Sequence, residues 1–78
     1  MDIHHGHEHY WTTFVEDAKE GYVGFKLHRE RFGRAAVVGQ TLYWDGSGFA
    51  FGTCDGEDVP FEIVEAAIAE AKERIKLA

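Results

Sequence analysis

The chain is poor in the residues that fix an architecture covalently or mark a compartment. Its one cysteine, Cys54, has no partner for an intramolecular disulfide, which excludes a disulfide-stapled scaffold and makes a reducing, cytoplasmic setting the expectation. One proline, Pro60, leaves no proline-rich linker. No apolar run is longer than that of residues 35–38, which is far short of the ~20 residues a membrane-crossing helix needs. The first residues lack the basic and apolar regions of a secretory signal, so neither export nor a membrane partner is expected. Positive charge is scarce too: eight Lys and Arg face fourteen Asp and Glu, for a formal charge of −6. That balance repels phosphate backbones and anionic membranes, and makes nucleic acid an unfavoured partner for the chain as a whole.

What remains is the composition of one small globular domain. Hydrophobic residues make up 45% and charged residues 28%, which excludes a disordered or fibrous chain, and 78 residues leave no room for a second core. The pattern predicts a flexible, histidine-rich tail over residues 1–9 and one α+β domain over 10–78. That domain reads as a three- or four-stranded antiparallel meander with one C-terminal helix packed across one face.

The helix carries the clearest signal. After Asp55-Gly56-Glu57-Asp58, Pro60 suits a first helical turn, and Phe61, Val64, Ala67, Ile68, Ala71 and Ile75 recur at three- and four-residue spacings. A helix over 61–77 follows, with Glu57, Asp58, Glu62 and Glu65 at its positive end and Lys72, Arg74 and Lys76 at its negative end. Strands are predicted where aromatic and β-branched residues alternate between glycines: residues 22–27, 34–44 with a bend or bulge at Gly39, and 49–53 after the turn Asp45-Gly46-Ser47-Gly48. Residues 10–20 admit two readings. Tyr10 to Val15 are all strand formers, whereas Thr13 and Glu16 have capping-box spacing for a short helix closed by Gly21. The strand is favoured, because a two-turn helix has little stability of its own.

Few residues point to catalysis. Cys54 and His28 are the only thiol and imidazole outside the tail, with no local pattern that activates a nucleophile, and Ser47 sits in a hairpin turn. The expectation is a protein without enzymatic activity. His4, His5, His7 and His9 are candidate ligands for Zn, Ni or Cu, since an extended chain places His5, His7 and His9 on one side; no other cofactor is implied. Protonating all five histidines would move the formal charge from −6 toward −1.

Charge is unevenly spread. Lys26, Arg29, Arg31 and Arg34 against Glu30 give residues 26–34 a charge of +3 and leave −9 for the rest, so this basic hairpin is a candidate phosphate contact. The order of strands ending in Trp44 and Phe49-Ala50-Phe51-Gly52-Thr53, followed by an Ala-rich helix, resembles the three-strand-plus-helix DNA-binding domains of the AP2 and integrase N-terminal type. That resemblance implies a basic binding sheet, whereas this chain is acidic outside the hairpin.

One helix covers only one face of a sheet, so with eleven aromatic residues some rings should stay accessible as an interface. The function expected is an acidic protein-binding or regulatory module that meets a basic partner. Its contact residues would be Tyr22, Tyr43 and Trp44 with the carboxylates Asp55, Glu57, Asp58, Glu62 and Glu65. The format is similar to phage or mobile-element inhibitors of nucleic-acid-handling complexes, and self-association through the open face or an edge strand is a related expectation.

Overall fold

The computed structural model describes residues 1–75. Five strands, β1 (Asp2–His5), β2 (Glu8–Asp17), β3 (Tyr22–Arg31), β4 (Arg34–Trp44) and β5 (Gly48–Thr53), precede one helix, α1 (Phe61–Arg74). Each strand pairs antiparallel with the next, so the sheet order is the chain order. The α+β meander with a C-terminal helix matches the sequence reading, but the sheet has five strands in place of three or four.

The additional strand comes from the segment read as a flexible tail. Gly6, at φ 62°, reverses the chain in two residues, so Ile3 pairs with Tyr10 and His4 with His9. Met1 and Ile3 then pack against the core, which supplies the burial that the polar run His4-His5-Gly6-His7 lacks. The Met1 ammonium ion-pairs with Glu70 of α1 and donates to Thr12 Oγ1 at 3.2 Å, while Thr12 donates to Glu70 at 2.5 Å. Residues 10–17 are strand, as favoured, and Thr13 contacts His28 rather than capping a helix.

Register fixes which side chains share a face, because directly opposed residues project to the same side. Tyr10 faces Arg29, Thr12 faces Leu27, and Phe25 faces Thr41, which faces Phe51. This is the covered face, where Tyr10, Leu27, Val38 and Ile63 form a fully buried cluster. Among the described residues no helix covers the other face. The irregularity expected at Gly39 falls one residue earlier: Leu27 opposes Gly39 but His28 opposes Val37, leaving Val38 as a bulge whose carbonyl accepts the Cys54 N–H at 3.0 Å. Gly39 serves close approach, since a Cβ there would lie 2.9 Å from the Gly52 carbonyl.

The helix begins where expected, with Pro60 at the N-cap position, and its buried row differs from the predicted stripe. Ile63, Ala67 and Ala71, spaced by four, face the sheet, whereas Phe61 is 75% exposed. Ala67 and Ala71, which the predicted stripe shares with this row, let the helix backbone approach the strands, and Ile63 takes the place expected of Phe61. Lys76 and Leu77 of the predicted helix lie outside the described residues. Among the described residues no helix is long and apolar enough to cross a membrane.

Candidate functional site

The β2–β3 and β4–β5 turns meet at one end of the sheet. Gly21 N–H donates to the Asp17 carbonyl at 2.8 Å, and Asp45 N–H donates to the Gly21 carbonyl at 2.9 Å, so the turns are clasped together. Asp17 Oδ1 accepts the backbone N–H groups of Lys19 and Glu20, each at 3.0 Å, which shapes the first turn from within. The clasp brings Glu16, Asp17, Asp45, Tyr22 and Tyr43 to the lining of one open cavity of about 250 Å³. Among the described residues none of these three carboxylates is in an ion pair with Lys or Arg.

Of the aromatic residues singled out from sequence, Tyr22 and Trp44 oppose each other on the uncovered face, with ring centroids 5.0 Å apart. Tyr43 projects to the other side, where its ring meets Phe49 edge-on at 5.0 Å. All three sit at the same end, but the carboxylates expected beside them do not. Asp55, Glu57 and Asp58 lie in the β5–α1 connection, and Glu62 and Glu65 in the first half of α1. Glu57 accepts from Arg29 at 2.9 Å, and Arg29 is seven residues along β3 from Tyr22, or about 23 Å at strand rise. The predicted contact surface is therefore split between opposite ends of the molecule. The acids that do accompany Tyr22 and Tyr43 belong to the turns. Register shows this, since Asp17 opposes Tyr22 and Asp45 follows Trp44.

The four cations of residues 26–34 form no common surface. Lys26 and Arg29, three apart on one strand, point to opposite faces. Arg29 is buried against Glu57, Arg31 is paired with Glu8, and Arg34 is exposed. Burial alone would weaken the Arg29 proton, but Glu57 and Glu8 outweigh it and hold the guanidinium above its ordinary range. The Tyr10 hydroxyl donates to Glu8 at 2.6 Å and, with Arg31, lowers the Glu8 carboxyl despite its partial burial. Burial and that carboxylate push Tyr10 up to about 12. Two of the hairpin's four cations, Arg29 and Arg31, are taken up by internal pairing, and Lys26 and Arg34 stay exposed.

The histidines divide in the same way. His5 lies 3.3 Å from Glu62 on the covered side, and His7 falls in the β1–β2 turn. His4 and His9 are stacked on the open face, centroids 4.3 Å apart and 7° from parallel. The row continues through Trp11, 5.0 Å from His9, to His28, 5.3 Å from Trp11. Asp2 Oδ1 accepts from His9 Nε2 at 2.7 Å, and one donor atom each from Asp2, His4 and His9 lie within 4.8 Å of one another. Asp2 was not among the candidate ligands read from the sequence, and it and the Trp11–His28 stack join the cluster only through the register of β1, β2 and β3. His28 is hydrogen-bonded to Thr13 at 2.7 Å and held below its ordinary value, first by burial and then by Lys26.

Comparison with protein-family models, curated proteins and solved structures finds no match to this chain.

Proposed function

We propose that the protein is a non-catalytic binding module that captures a basic segment of a protein partner at the turn end of its sheet. The observation carrying this reading is the open cavity at the sheet end that Glu16, Asp17 and Asp45 line together with Tyr22 and Tyr43. At about 250 Å³ it falls below the ~300–1,000 Å³ typical of small-molecule sites and suits one inserted side chain. Carboxylates beside aromatic rings favour a guanidinium or ammonium, which gains ion pairing and a ring face together. The chain's charge of −6 would steer a basic partner toward it. A complex that holds nucleic acid in a cationic groove is the kind of partner this module would occupy, its carboxylates standing where phosphates sit.

Calorimetric titration with an arginine-rich peptide tests the reading, with a glutamate-rich peptide of equal length as control. Binding should weaken about threefold for each of Glu16→Gln, Asp45→Asn and Tyr43→Leu. Glu65→Gln, at the far end, should leave it unchanged. Equal losses at Glu65 and at Asp45 would reduce the effect to net charge and overturn the proposal.

A further inference from the structure

We infer that the β1–β2 hairpin carries a site for a divalent transition-metal ion, with Asp2, His4 and His9 as its protein ligands. The inference is independent of the binding pocket, which lies at the other end of the sheet.

The site follows from pairing. His4 and His9 are opposed residues, so both imidazoles leave the sheet on the same side, and Asp2 joins them as the residue two before His4 on the same strand. Their donor atoms lie within 4.8 Å of one another. Tetrahedral ligands at ~2.0–2.1 Å from zinc are separated by about 3.4 Å, so closure needs side-chain rotation and no backbone movement. Two imidazoles and one carboxylate suit Zn²⁺ and its neighbours Ni²⁺ and Cu²⁺, and are a poor set for Ca²⁺ or Mg²⁺, which prefer all-oxygen shells. Ring nitrogens coordinate in the ring plane, so the parallel His4–His9 stack must open at one edge to take the ion. The ion also takes the place of the proton shared between His9 Nε2 and Asp2 Oδ1. Glu30 opposes His9 on β3 and so projects from the same face.

This arrangement differs from incidental chelation by a histidine-rich segment. Incidental binding would draw on all four of His4, His5, His7 and His9. The folded hairpin selects two of them and recruits Asp2.

Zn²⁺ titration of the full chain, followed by calorimetry and by Trp11 fluorescence in a Trp44→Phe background, tests the inference. One ion should bind per chain, and Trp11 emission should change as the neighbouring His9 ring turns. His4→Ala and His9→Ala should each weaken binding more than about tenfold, while His5→Ala and His7→Ala leave it unchanged. Asp2→Asn removes a ligand without removing a ring, and should weaken binding similarly while the far-ultraviolet spectrum stays that of the parent. No binding, or equal losses at His5, His7, His4 and His9, would overturn the assignment.

Discussion

The Arg29 guanidinium donates to the Glu57 carboxylate at 2.9 Å, joining the middle strand of the sheet to the connection that leads into the helix. The two partners are unequal: the Arg29 side chain is 8% exposed and that of Glu57 39%. The arginine is thus a structural cation inside an acidic protein, which withdraws it from any surface that would meet phosphate.

Stability should reflect that inequality. Glu57→Gln strands a buried guanidinium and should cost about 1–2 kcal/mol, whereas Arg29→Met replaces a buried charge by apolar volume and frees a carboxylate that water can reach, at less cost. For a domain this small, 1 kcal/mol moves Tm by roughly 4–8 °C, so thermal unfolding separates the variants. A larger loss for Arg29→Met would contradict the account.

The pH profile of stability should fall on both sides. Glu8 and Glu70 lie below the ordinary 4.5, Glu8 through the Tyr10 hydroxyl and Arg31, Glu70 because the Met1 ammonium, Thr12 and Arg74 outweigh its burial. Unfolding raises both carboxyls to that ordinary value. Their contribution is therefore complete above it and is lost as pH falls through the lower folded values. His28, held below 6.5, adds a loss that begins as pH drops under 6.5. Tyr10 acts at the other limit: its hydroxyl favours the protonated form up to about 12 in the fold against 10 unfolded, so that contribution is full below pH 10 and gone above 12. Thermal melts from pH 3 to 12 should show both limbs. Glu70→Gln should flatten the acid limb and Tyr10→Phe the alkaline one.

Thr41 is 2% exposed, and its hydroxyl has no hydrogen-bond partner among the described residues. Thr41→Val keeps the branched shape and removes the desolvated group, and should stabilise by about 1 kcal/mol in urea unfolding. Destabilisation would show that the hydroxyl is satisfied.

Phe32 stands at the tip of the β3–β4 hairpin at φ 52°, followed by Gly33 at φ 77°, and the residue is 88% exposed. Two consecutive left-handed residues make a type I′ turn, which prefers Asn at the first position. Phe32→Asn should raise stability by roughly 0.5–1 kcal/mol, because the ring has little packing to lose. A lower Tm for this variant would show that the ring makes a stabilising contact.

The sequence made β4 legible from Arg34 to Trp44, because its branched and aromatic residues run between two glycine-bearing turns. It also marked the helix start, where Pro60 precedes an apolar periodicity. The β1–β2 hairpin was hidden, since histidine, glycine and acid residues have weak strand preference and the pairing depends on Met1 and Ile3 reaching a core assembled from distant strands. The helix row was legible only in part: Ala67 and Ala71 belong to the stripe read from the sequence, and contact with the sheet selects Ile63 in place of Phe61. At the binding end Tyr22 and Tyr43 were identified, but their acidic neighbours were sought on the helix. Those neighbours come from turns that register brings together.

The central claim is where a cation lands, and backbone amide shifts read this directly. With ¹⁵N-labelled protein and an arginine-rich peptide, the account predicts saturable perturbations at Glu16, Asp17, Tyr22, Tyr43 and Asp45, with the amides of residues 55–65 unmoved. Perturbations centred on residues 55–65, or spread evenly over every acidic residue, would contradict it.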